Sequence, residues 1–137
     1  MTDQTDNTIH IAFDICLTKD EINDIMCTAV EGGINYWAAA TEATAKKAGK
    51  YTYEQIANNE TLIITLFEPF DENTEKYELT KEKLLKGIKQ YLTKNPDEAM
   101  HILTIDNNQL IIDTSEVDAG DADAIMQYAL FDEIVFA

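Results

Sequence analysis

Few side chains in this sequence are spaced for chemistry. In "HIAFDIC", His10, Asp14 and Cys16 are an even number of residues apart. On a strand they would share one face. A Cys/His nucleophile pair needs a thiol with a depressed pKa, usually at a helix N-terminus or beside a cation. Cys16 falls on the strand ahead of the next helix and is not itself carried on a helix N-terminus, so outward polar residues on a half-exposed strand are expected. The other histidine and cysteine, His101 and Cys27, are scattered without zinc-ligand spacing. The run "DAGDADA" places Asp118, Asp121 and Asp123 close together. It lacks the spaced Asp/Asn loop and terminal bidentate Glu of a calcium loop. Aspartates at the positive end of a helix account for it. Phosphate-cradling glycine loops, nucleophile elbows and HExxH are absent. The expectation is no catalytic residue, no metal, no cofactor and no enzymatic activity.

The elements that would position these residues are readable. Residues 1–7 are polar and expected to be flexible. In "TIHIAFDICL", Ile9, Ile11, Phe13, Ile15 and Leu17 alternate with polar or small residues, which predicts a half-buried strand. Thr18 and Glu21 have capping-box spacing, with Leu17 and Ile22 as a staple. The apolar stripe Ile22, Ile25, Met26, Ala29, Val30, Gly33, Ile34, Trp37 keeps helical phase through "VEGGINYW". It predicts one helix from about 19 to at least 37. Each glycine inside it costs roughly 0.8–1 kcal/mol, so another element should approach closely at Gly32 and Gly33. "AAATEATAKKAG", 38–49, reads as a continued helix capped at Gly49 or as a strand or irregular stretch.

Thr52 and Gln55 are spaced for a short capped turn. "TLIITLF" has the length and apolarity of a central strand buried on both faces. "EPFDENTEKYE" reads as an acidic loop. A helix is predicted from near Thr80, with Leu84, Leu85, Ile88, Tyr91 and Leu92 inward and Pro96 beyond its end. "HILTIDNNQLIID" predicts a hairpin turning at Asn107–Asn108. A last helix from "DAGDADAIMQYALF" precedes a short strand, "EIVFA". The fold class is α+β: a single domain over 8–137, a mostly antiparallel sheet with about three helices packed on it.

Charge separates function classes. The chain has 137 residues, 26 acidic and ten basic, for a net charge of −16. All ten basic residues are lysines, so bidentate guanidinium grips on phosphate or base edges are unavailable. Such a charge repels nucleic acid and anionic lipid. Two cysteines form no disulfide framework. The start "MTDQTDNTIH" is no signal peptide and no apolar run has spanning length, so a cytoplasmic location is expected. After Lys94 no lysine occurs while ten acids follow. Within that third, Asp113, Glu116, Asp118, Asp121 and Asp123 form a candidate docking surface for a basic partner. Glu31, Gly32, Gly33, Asn35 and Tyr36 form a second candidate, a ligand or partner contact on the glycine-bearing helix.

Three segments, "EGGINYW", "KYELTKEKLLKGIKQYL" and "DAGDADAIMQYALFDEIVF", resemble a family of small acidic proteins. Phages, prophages and other mobile elements of low-GC Gram-positive bacteria encode them. The resemblance runs from about Asp20 to the C-terminus, although members carry larger β-type residues after the tryptophan. It implies a mobile-element accessory protein made to bind a host protein. Such a partner could be an immune or nucleic-acid-processing factor, giving an anti-defence role by nucleic-acid mimicry. The alternative is a small-molecule-binding module whose ligand lies beside Glu31, Asn35, Tyr36 and Trp37.

Overall fold

A computed structural model describes residues 7–44, 51–68 and 75–137. Expectations for 1–6, for the Gly49 cap and for the Pro69 loop lie outside these. The fold is α+β, and the described residues form two separate antiparallel sheets where one was expected. Helix α1, Lys19–Thr28, starts as predicted. The Thr18 hydroxyl accepts from the Glu21 N–H, and the Glu21 carboxylate accepts from the Thr18 N–H. The helix then widens into a π-turn, Ala29–Gly33, closed by the Ile34 N–H donating to the Ala29 carbonyl at 3.1 Å. It ends there, short of Trp37.

Strand β1, Ala38–Ala43, pairs antiparallel with β2, Leu62–Leu66, and β2 pairs with β3, Lys76–Leu79. The 38–49 ambiguity therefore resolves as strand over Ala38–Ala43. Its alanines follow the pairing that the β-rich "TLIITLF" run offers rather than their own helix propensity. β2 is central, as expected, but it alternates: Leu62, Ile64 and Leu66 are buried, Ile63 and Thr65 half-buried. β3 corrects the reading of "EKYE" as loop. A 3₁₀ turn covers Thr52–Glu54, capped one residue earlier than predicted by Glu54 accepting from the Tyr51 N–H at 2.8 Å.

Helix α2, Lys81–Lys94, is capped by Thr80, buries Leu84, Ile88 and Tyr91, and leaves Leu85 exposed. After the short helix α3, Pro96–Ala99, the hairpin of β4, Leu103–Asp106, and β5, Gln109–Ile112, turns where expected. Asn107 and Asn108 both take positive φ, 50° and 62°. A 3₁₀ turn, Thr114–Glu116, leads into α4, Ala119–Phe131.

α4 is buried nearly all round and is the spine of the core. It lies against the π-turn on one side and α2 on the other. Two glycines admit it. A Cβ on Gly33 would meet the Ala119 carbonyl oxygen at 2.9 Å, and one on Gly87 would meet the Ala129 Cβ at 2.8 Å. The expected close approach is thus real at Gly33 and absent at Gly32, where a Cβ would meet nothing within 4 Å.

Two predicted strands are not formed. Residues 7–18 carry no regular secondary structure, and Ile9, Ile11 and Phe13 are exposed. Among the described residues no strand lies beside them. "EIVFA" is also irregular, because a side chain takes its backbone bonds. Gln127 Oε1 accepts from the N–H groups of Val135 and Phe136 at 2.7 and 2.8 Å, and Gln127 Nε2 donates to the Phe136 carbonyl at 3.0 Å.

No described helix is long and apolar enough to cross a membrane.

Candidate functional site

One stripe of α4 forms the floor of an open cleft of about 530 Å³, with Gly120, Ala124 and Gln127 along it. Small residues keep this floor low. Two aspartates flank it, each bound to a tyrosine on an opposite wall.

On one wall stands Asp123. Its Oδ2 accepts from the Tyr36 hydroxyl at 2.6 Å, and its Oδ1 accepts from Trp37 Nε1 at 2.7 Å and Gln127 Nε2 at 3.0 Å. Tyr36 and Trp37 follow the π-turn, which delivers both to one carboxylate. The Trp37 indole is buried, stacked on Phe136 at 5.4 Å and edge-on to Phe131. Burial, then the hydrogen bond and charge of Asp123, push the Tyr36 phenol up to about 12.

On the other wall stands Asp121, 4% exposed. Its Oδ1 accepts from the Tyr91 hydroxyl at 2.5 Å, and His101 Nε2 lies 2.9 Å from its Oδ2. Asp118 and Asp121 also form the capping box of α4. Burial raises the Asp121 pKa. Hydrogen bonds from Tyr91, the Asp118 N–H and His101 outweigh it and hold the carboxyl below its ordinary value. The hydrogen bond to Asp121 raises His101 above its usual value, against a smaller opposing effect of desolvation. Burial and then Asp121 raise Tyr91.

One oxygen or nitrogen each of His101, Asp118 and Asp121 lie within 4.8 Å of one another, a spacing that could hold a cation. The capping bonds and the His101 contact account for the cluster by themselves. The positive end of α4 also works against a bound cation there.

The five residues expected as an acidic docking surface divide. Glu116 and Asp118 are exposed, and half-buried Asp113 accepts from the Ser115 N–H and hydroxyl. These three remain a surface, extended by Asp24, which accepts from the Thr114 hydroxyl at 2.9 Å. Asp121 is corrected to a buried acceptor, its oxygens taken by the cap, Tyr91 and His101, while Asp123 is half-buried on the cleft wall with its oxygens taken by Tyr36, Trp37 and Gln127. The glycine-helix candidate also divides. Glu31 and Asn35 line a separate hollow of about 320 Å³ with Val30, Tyr51 and Tyr53. Gly32 is exposed, Gly33 is sealed against α4, and Tyr36 faces the α4 cleft.

The chain matches no family model, no curated protein and no solved structure.

His101, Tyr91 and Gln127 join the site without having been expected there. Gln127 falls on a buried helix face with no apolar reason to be there, and that mismatch is the available signal. His10, Asp14 and Cys16 lie exposed on the irregular N-terminal segment. Cys27 is half-buried on α1, and burial followed by Glu31 and Asp24 raises its thiol pKa.

Proposed function

We propose that this chain is a non-enzymatic interaction protein that docks a basic protein partner on the acidic surface around the N-terminus of α4. One observation carries the reading, the segregation of charge in the fold. The lysines from Lys76 to Lys94 lie on β3 and α2, while no described lysine lines the α4 cleft. Around that cleft and the preceding turn stand Glu98, Asp113, Glu116 and Asp118. The tyrosine–aspartate pairs on both walls make the rim rigid, so little ordering is lost on binding. A fixed row of carboxylates attracts a surface built for phosphates, steering association and setting register more than adding affinity. The resemblance to mobile-element proteins supports a host factor as that partner, including a nucleic-acid-handling or immune protein met by mimicry.

Affinity capture from bacterial lysate, with nuclease present, tests this at low and high salt. A retained nucleic-acid-handling protein should be released by salt. It should also be lost with the triple variant Asp113→Asn, Glu116→Gln, Asp118→Asn. Asparagine still caps a helix, so the variant keeps its fold. Retention insensitive to both salt and the triple variant overturns the proposal.

A further inference from the structure

The most apolar exposed feature of the described chain is its N-terminal segment. Ile9, Ile11 and Phe13 are 90%, 81% and 73% exposed. No backbone–backbone hydrogen bond joins residues 9–17 to another described residue. The same odd-numbered face is nevertheless in use further along. Ile15 and Leu17 pack against the core, and with Phe13 they border an apolar groove of about 510 Å³ beside Leu85, Ile88 and Leu92. A strand-like face thus starts on the body of the protein and runs off into solvent.

We infer that residues 9–15 of two copies pair antiparallel about a two-fold axis at Ala12, making the protein a homodimer. The segment complements itself. Pairing about Ala12 sets Ile9 opposite the partner's Ile15, and Ile11 opposite the partner's Phe13. All large apolar side chains then lie on one face. The partner's Ile9 reaches the groove that Phe13 and Ile15 border, where Leu85 is 41% exposed. On the other face His10 meets the partner's Asp14, twice by symmetry, which sets a hydrogen-bonding ring opposite a carboxylate at directly facing positions. No carboxylate faces another. Centring on Ile11 instead would set His10 against Ala12 and Asp14 against Thr8, losing those pairs.

The local sequence suits a second copy better than a basic partner. The chain carries −16, yet Asp14 is the one acid in residues 9–15 and the pairing sets it opposite His10, so this segment adds little like-charge repulsion between copies. Paired strands also satisfy the open backbone groups and remove an aggregation-prone edge. The interface is isologous, so it closes at two copies.

Light scattering on the full chain over a micromolar range should give twice the monomer mass. Ile11→Asp with Phe13→Asp should give the monomer with unchanged helical circular dichroism. A wild-type chain that stays monomeric overturns the inference and leaves the segment for another occupant. A dimer that survives the double variant overturns it too. The register is tested in a Cys16→Ser, Cys27→Ser background. Facing Cα atoms in an antiparallel pair are about 4.5–5.5 Å apart, within the roughly 4.4–6.8 Å a disulfide spans. Ala12→Cys should therefore cross-link on oxidation, and Ile11→Cys cross-linking in its place overturns the register. The acidic-surface triple variant should remain dimeric, which separates this inference from the docking proposal.

Discussion

Trp37 and Asp123, 86 residues apart in sequence, meet at 2.7 Å, indole N–H to carboxylate. The other oxygen of that carboxylate takes the Tyr36 hydroxyl. The contact fixes the end of the π-turn to α4 and builds one wall of the cleft.

Removing that acceptor should be costly. Asp123→Ala leaves the N–H of a 2% exposed indole without a partner, a loss on the order of 1–3 kcal/mol. Asp123→Asn keeps an acceptor and should lose less. Urea unfolding followed by the single tryptophan's fluorescence measures both. In Asp123→Ala the Tyr36 phenol should also titrate lower than about 12, nearer its ordinary value of 10.

The three glycines near the core should respond with different signs. Gly32→Ala meets open space and gains helix propensity, so it should be neutral or raise stability by about 0.5–1 kcal/mol. Gly33→Ala and Gly87→Ala press into the backbone or side chains of α4 and should cost about 1–3 kcal/mol each. Thermal melts of the three variants give the order directly.

Local signals are legible in the sequence and long-range ones are not. The cap at Thr18, the helix starts near Thr80 and Asp118 and the Asn107–Asn108 turn each depend on a few adjacent residues, and all are present. Ala38–Ala43 becomes a strand through a partner lying some twenty residues on, which its own composition does not announce. Residues 9–17 show the reverse: a clear alternating pattern whose chain supplies no described neighbour strand. Alternation reports which face a strand would bury and says nothing about whether it finds a partner. At the site, the carboxylate run is visible in the sequence, but its division into rim and interior is not. That division depends on Tyr36, Trp37, Tyr91 and His101, which reach α4 from distant segments.

The His101–Asp121 pair should limit stability from both sides of pH. His101 is raised above 6.5 in the fold, so its contribution is complete below about pH 6.5 and fades as pH climbs through the raised value. Asp121 is lowered below 3.8, so its contribution is complete above that and fades as pH falls through the depressed value. The pair therefore helps most between those limits. In an NMR titration the His101 ring should have a pKa above 6.5, moving down in Asp121→Asn.

Gln127 holds the C-terminal segment with bonds that a neighbouring strand would otherwise make. Gln127→Leu removes both acceptor bonds to Val135 and Phe136 and the donor bond to the Phe136 carbonyl. A loss of about 2–3 kcal/mol is expected, on the scale of two or three hydrogen bonds. Hydrogen exchange at the Val135 and Phe136 amides should accelerate well beyond the change at α2 amides.

The π-turn Ala29–Gly33 makes chain length at this point a coded property. It holds one residue more than an α-helical turn would, so the extra residue is absorbed within the turn and the chain leaves it nearly in α-helical phase. Removing a single codon between 29 and 33 would restore an ordinary turn and keep Tyr36 and Trp37 directed at Asp123. Adding one has no wider turn to absorb it and would swing both away, since each helical residue turns the downstream chain by about 100°. The segment should thus accept many substitutions at Glu31 or Gly32 and the loss of one residue, while rejecting a gain. In related sequences, a gap within this turn should be a single missing residue and never an insertion.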